Sequence, residues 1–166
     1  TSAIDIYVLP PFTSLSTAID AFGGSSVGVG GQNMHWEDSG SWTGEISASM
    51  LCELGCRYVE LAHSERLQYF GETYELVRRK VDKALSTGLI PIVCLGETAQ
   101  DKAEGRADQV LADQLLTSIA GQPDACVPNI ILAYEPRWAI SAAEAASPDY
   151  VAERHRILRG VLRKHR

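Results

Sequence analysis

The sequence predicts an α/β protein built on a parallel sheet, and three observations carry that prediction. Short apolar runs rich in β-branched residues recur at residues 4–9, 26–30, 57–62, 90–95 and 129–134. Stretches of helical period separate them, at 13–22, 47–54, 73–87, 99–120 and 148–164. The runs are apolar almost throughout instead of alternating, which is the pattern of parallel strands covered on both faces. β–α units in succession give a parallel sheet, either doubly wound or closed into a barrel, and periodicity alone does not separate the two.

In chain order, the run 4–9 ends at Pro10-Pro11, and the run 26–30 leads to Gln32-Asn33. The run 57–62 ends in His63-Ser64-Glu65-Arg66, the run 90–95 in Gly96-Glu97, and the run 129–134 in Glu135-Pro136. Two helices are well punctuated. Thr73 caps a stripe of Leu76, Val77, Val81, Ala84 and Leu85 that Gly88 closes. Ser147 caps the last helix with Pro148 in its first position, and Tyr150, Val151, Leu158, Val161 and Leu162 form its apolar stripe. Helices 13–22, 47–54 and 99–120 rest on period alone. With no low-complexity linker and no break in composition, residues 1–166 are expected to form one domain.

The bulk numbers narrow the partners. The chain is 45% hydrophobic and 22% charged, ordinary for a globular domain, and carries a formal charge of −6. An acidic balance argues against a nucleic-acid partner, whose binders present a basic face. It leaves an anionic small substrate open, because a few local donors hold a phosphate even in an acidic protein. No apolar run approaches the roughly 18 residues of a membrane span. The first residues carry no basic stretch followed by an apolar core, so a cytoplasmic protein is expected. Cys52, Cys56, Cys94 and Cys126 match no zinc spacing and read as small apolar residues in a reducing compartment, the first two on one helical face. His35, His155 and His165 show no ligand spacing, and the last two lie among Arg154, Arg156, Arg159, Arg163 and Lys164 on an expected solvated basic face.

Polar residues past the runs matter because active sites of parallel α/β folds lie at the carboxyl ends of the strands. Glu135 directly follows one strand, which aims its carboxylate at that edge. His63 ends another and precedes a short helix, whose positive N-terminus favours a neutral imidazole. A neutral imidazole donates a hydrogen bond to a developing enolate oxygen, while a facing carboxylate moves a proton between adjacent carbons. Either residue alone is equally well read as a capping or ion-pairing group; the two together point to isomerisation.

Several motifs then carry a specific resemblance. Ala62-His63-Ser64-Glu65-Arg66 with Phe70-Gly71-Glu72 resembles the electrophile segment of the triosephosphate isomerases, and Ala133-Tyr134-Glu135-Pro136-Arg137-Trp138-Ala139-Ile140 resembles their catalytic-glutamate strand and the start of their lid. Gln32-Asn33 and Thr43-Gly44-Glu45-Ile46-Ser47 are similar to the family's third loop, and Ile92-Val93-Cys94-Leu95-Gly96-Glu97 to its fifth strand. The resemblance implies a TIM (β/α)8 barrel of which this chain supplies about strands two to six. It implies Glu135 as base, His63 as neutral electrophile with a lowered pKa, and Glu65 in the polar shell of the site; the pairing is the one known for the triosephosphate isomerases themselves. It implies a lid at Pro136, Arg137, Trp138, Ala139 and Ile140 reaching on to Ala143, with Ser141 at the phosphate. Thr43 would reach a partner's site in a homodimer, with Glu45 and Arg66 as an ion pair across it. The substrate would be a small phosphorylated sugar, and neither metal nor organic cofactor is needed for proton transfer beside a carbonyl.

The departures shape the alternatives. The family's Asn-x-Lys strand, Gly-Gly-Ser turn and terminal glycine pair have no counterpart in these residues. The expectation is therefore a fragment of a longer enzyme, with a short chain that completes its barrel by association as the alternative. Ser141 stands where a lid glycine is usual, and Leu67 where a second arginine is. Met34-His35-Trp36-Glu37-Asp38 with Trp42 resembles the branch acting on tetrulose phosphates such as L-erythrulose 1-phosphate; the plain alternative is aromatic anchors at a subunit interface. A reading of another class is a non-catalytic α/β domain of flavodoxin-like strand count that binds a ligand or partner.

Overall fold

The computed structural model describes residues 4–140 and 142–165. Five strands, β1 (Tyr7–Val8), β2 (Gly28–Gly31), β3 (Tyr58–Leu61), β4 (Ile90–Leu95) and β5 (Ile131–Tyr134), are hydrogen-bonded in chain order. Helix α1 (Leu15–Phe22) follows β1 and α2 (Ala48–Leu54) follows β2. Next come α3 (Ser64–Tyr69) and α4 (Tyr74–Thr87) after β3, then α5 (Ala99–Ala103) and α6 (Ala107–Ile119) after β4, and finally α7 (Pro148–His165). A doubly wound sheet reverses its strand order at a switch point. Here the order never reverses, which is the order of part of a (β/α)8 barrel.

The chain divides into two compact units. The first comprises the residues through Leu61, Arg79–Ile92 and Asn129–Ile131. Its strands pair in parallel, with Tyr7 opposite Gly28 and Gly30 opposite Tyr58. Strand β2 is nearly all glycine because Tyr58 lies against it. A Cβ on Gly28 would stand 2.2 Å from the Tyr58 ring, and one on Gly30 would stand 2.4 Å from the Tyr58 carbonyl oxygen. Tyr7 stacks on the same ring at 5.2 Å. Leu15, Val29, Met34, Leu51, Val59, Val81 and Leu89 are buried around these strands. Ser47 caps α2 by accepting from the Met50 N–H, and Gly55, at φ 96°, ends it in a conformation only glycine enters freely.

The second unit comprises Ala62–Arg78, Val93–Pro128 and the residues from Leu132 onward. Its core is Val77, Val93, Cys94, Leu95, Leu111, Leu115, Ile119 and Leu158. The Glu135 N–H donates to the Leu95 carbonyl at 2.8 Å, which carries the pairing of β5 with β4 to its end. Gln114 clamps the turn after β4, its amide accepting from the Gly96 N–H at 2.9 Å and donating to the Gly96 carbonyl at 3.0 Å.

Several expectations are corrected. The first run gives a strand of only Tyr7–Val8, with Ile4 and Ile6 exposed. The predicted helix 99–120 is two helices, broken at Gly105, whose φ of 69° no helix accommodates. Cys52 and Cys56 do not share a helical face, since α2 stops at Leu54. None of the four cysteines forms a disulfide; Cys56 and Cys94 are buried and the other two half-buried. Arg154 does not belong to a solvated basic face: it is buried, ion-paired with Asp108 and stacked over the Tyr150 ring at 4.7 Å.

Candidate active site

Strand β3 delivers His63 through an unusual residue. Ala62 has φ 63°, the one positive value on a non-glycine among the described residues, and its side chain is buried. L-residues avoid this left-handed region because Cβ crowds the following carbonyl. The kink at Ala62 leads from β3 to His63, which caps α3. His63 Nδ1 accepts the Glu65 N–H at 3.4 Å. An accepting Nδ1 puts the proton of the neutral imidazole on Nε2.

That Nε2 lies 3.0 Å from Glu135 Oε1. The Glu135 carboxylate also accepts the Ser64 N–H at 3.3 Å and faces the Ser64 hydroxyl at 3.5 Å. Both side chains are partly covered, His63 29% and Glu135 20% exposed, so each is held and still reachable. Glu135 owes its place to Gly96. A Cβ there would stand 1.8 Å from the Glu135 carbonyl oxygen, so no other residue lets β5 finish where it does.

Glu65 turns outward. Its carboxylate is 68% exposed and 3.7 Å from His63 Nδ1, a contact that stabilises only a protonated imidazole and competes with the backbone bond to the same nitrogen. Arg66 lies 3.5 Å from Glu72 and stacks on Phe70 at 4.8 Å, so it has a partner within its own chain. Thr43 and Glu45 are exposed in the loop between β2 and α2, on either side of Gly44 at φ 90°. Residues 136–139 turn back on themselves through the bond from Ala139 N–H to the Pro136 carbonyl, and Ile140 follows, part exposed. Ser141 lies outside the described residues. Leu67, Glu72, Tyr74, Gln114 and Arg137 line a cleft of about 420 Å³. The Tyr74 hydroxyl donates to the Cys94 carbonyl at 3.1 Å there, and burial raises its pKa well above the ordinary value.

Sequence reasoning placed Glu97 past the fourth run but gave it no role. It is fully buried and accepts from Tyr134 Oη at 3.0 and 3.1 Å, Trp138 Nε1 at 2.7 Å and Tyr150 Oη at 2.9 Å. Burial, then the nearby carboxylate, pushes the Tyr134 hydroxyl far up; burial and the bond to Glu97 push Tyr150 up to about 12. The visible signal was an acid just past a strand, with aromatic donors at Tyr134 and Tyr150. Among the described residues no cluster of side chains has the make-up of a metal site. No helix is long and apolar enough to cross a membrane among those residues.

Fold and site together define a chain of the (β/α)8-barrel class, with a carboxylate and an imidazole facing each other at the carboxyl ends of its strands. The family model described as triosephosphate isomerase matches residues 1–166. The triosephosphate isomerase of Solibacter usitatus is 45% identical over 163 residues, covering 98% of this chain and 66% of its own length. That of Herpetosiphon aurantiacus is 46% identical over 158 residues, covering 95% and 63%. The L-erythrulose-1-phosphate isomerase of Rhizobium etli is 49% identical over 152 residues, covering 90% and 57%. This chain belongs to the triosephosphate isomerase family, and it spans less than two thirds of the length of these relatives.

Proposed function

We propose that the protein interconverts glyceraldehyde 3-phosphate and dihydroxyacetone phosphate through an enediolate, with Glu135 as base and His63 as neutral electrophile. The observation that carries this is the 3.0 Å approach of His63 Nε2 to Glu135 Oε1, with Nδ1 engaged as an acceptor. In the resting arrangement the carboxylate occupies the Nε2–H. An incoming carbonyl oxygen takes that donor over, which releases Glu135 to remove the proton from the adjacent carbon. The electron pair passes to the oxygen, where the Nε2–H stabilises the enediolate, and the proton on Glu135 is returned to the neighbouring carbon. A second proton passes from the neighbouring hydroxyl to the former carbonyl oxygen, carried by His63 Nε2, so that the new carbonyl forms and protons and electrons balance without any cofactor. Residues 136–140 form a lid that keeps water from the intermediate, since an exposed enediolate loses its phosphate.

A second substrate reading has its own support. His35 is buried between Trp36 and Trp42, at 4.1 and 4.3 Å between ring centroids, and Arg79 lies over Trp36 at 4.2 Å. This aromatic third loop, with the Rhizobium etli relative, supports a tetrulose phosphate such as L-erythrulose 1-phosphate. We further propose a cytoplasmic homodimer of single-domain subunits in which Thr43 and its loop reach the partner, with Glu45 and Arg66 at that contact.

The test is deuterium uptake from heavy water, followed by NMR, with dihydroxyacetone phosphate and L-erythrulose 1-phosphate supplied separately. Exchange into one of them is expected, and Glu135→Gln should reduce it at least a hundredfold, the lower end of what a positioned base contributes (about 10²–10⁴). Equal exchange in wild type and Glu135→Gln removes the assignment of the base.

A further inference from the structure

We propose that Lys102 and Tyr150 are positioning residues that, with Glu97, hold the indole of Trp138 in its resting place and so set how readily the lid leaves it. The inference rests on the isomerase reading and goes beyond it, because neither residue touches the His63–Glu135 pair.

Trp138 is bound in three ways from three elements. Its Nε1–H donates to Glu97 at 2.7 Å, just beyond the end of β4. The Lys102 ammonium of α5 stands 3.3 Å from the indole centroid, over the ring face. The Tyr150 ring of α7 meets the indole nearly at right angles, 82°, with centroids 5.7 Å apart. The three holding groups also bind one another: Tyr150 Oη donates to the same Glu97 carboxylate at 2.9 Å, and Lys102 lies 4.9 Å from the Tyr150 ring. Arg154, paired with Asp108, closes the far face of Tyr150 at 4.7 Å. The backbone next to Trp138 is tied to the same residue, since the Arg137 N–H donates to the Glu97 carbonyl at 3.1 Å.

An indole carries negative potential on its faces and a positive N–H at its edge. A cation on the face and a carboxylate at the N–H therefore answer both parts of the same ring. Lys102 is exposed on a short surface helix, so its replacement leaves the core untouched. These contacts belong to the resting lid. Weakening them raises the fraction of closed lid and lowers KM without raising kcat. The cation's share corresponds to about a two- to fivefold change in that equilibrium.

The experiment is ¹⁹F NMR of protein labelled with 5-fluorotryptophan. Its three tryptophans give three resonances, that of Trp138 being assigned by its loss in Trp138→Phe. Lys102→Met should move the Trp138 resonance toward the free amino acid and leave those of Trp36 and Trp42 in place. Lys102→Arg should restore the wild-type position, and Tyr150→Phe should shift Trp138 in the same direction as Lys102→Met. Lys102→Met should also lower KM about two- to fivefold for the substrate that exchanges deuterium, with kcat no higher than wild type. An unmoved Trp138 resonance in Lys102→Met and Tyr150→Phe overturns the proposal, as does a shift that Lys102→Arg shares with Lys102→Met. The NMR readout needs no turnover, so failure of the isomerase reading would show separately, as absent exchange with the Trp138 shifts intact.

Discussion

Ala62 holds a left-handed backbone at a cost of about 1–2 kcal/mol, a strain that persists only where the surroundings over-determine it. Its side chain is fully enclosed, so there is room for a methyl group and little else. Ala62→Val should lower stability by about 2 kcal/mol or more, because β-branching makes the left-handed region a true outlier and the extra carbons meet packed neighbours. The denaturant midpoint reads this directly, and an unchanged midpoint would mean the strain is not there. His63 and Glu135 were legible because each follows an apolar run that aims it at the strand-end edge. Ala62 was not, since alanine carries no turn signal. Gly96 was visible as a glycine, but the reason for it is the Glu135 carbonyl on another strand, which one-dimensional reading does not bring near.

At the scale of elements, α5 exists because of its first turn. Thr98 Oγ1 accepts the Asp101 N–H at 3.2 Å and Asp101 Oδ2 accepts the Thr98 N–H at 3.1 Å, a reciprocal cap on a five-residue helix too short to stand by propensity. Thr98→Ala should cost about 1 kcal/mol, read as a fall in Tm. The Thr98 side chain first, then Arg106, holds the Asp101 carboxyl down at about 2, below its ordinary 3.8. A depressed carboxyl contributes its stability above the unfolded value and loses it as pH falls through the folded one. The part of the Thr98→Ala penalty that comes from the lost bond to the Asp101 carboxylate should therefore be full above about pH 4 and fade toward pH 2, a trend that thermal melts across that window would show. The sequence pattern contained this cap, but helical period ran past it. The break depends on Gly105 turning left-handed while the Arg106 N–H returns to the Asp101 carbonyl, and apolar spacing records neither.

For the molecule as a whole, the proposed association can be tested at the third loop. Trp42, beside Thr43, is 46% exposed, and Tyr69 and Phe70 at the end of α3 are each 68% exposed. An exposed indole in this loop suits the proposed subunit contact, where aromatic residues are enriched. Thr43→Arg should convert a dimer to monomer in sedimentation velocity at micromolar concentration; an unchanged sedimentation coefficient would move the contact elsewhere. Fold class was legible in the runs and their separators, whereas barrel and doubly wound sheet part company only in strand order, a property of pairing. That order has a consequence during synthesis. Because β1 to β5 neighbour one another in the sequence in which they are made, each new strand leaving the ribosome finds its lateral partner already exposed and waiting. On this side of the sheet each strand from β1 to β4 is covered by the next one after a single β–α unit, which keeps short the interval in which that edge is open to aggregation.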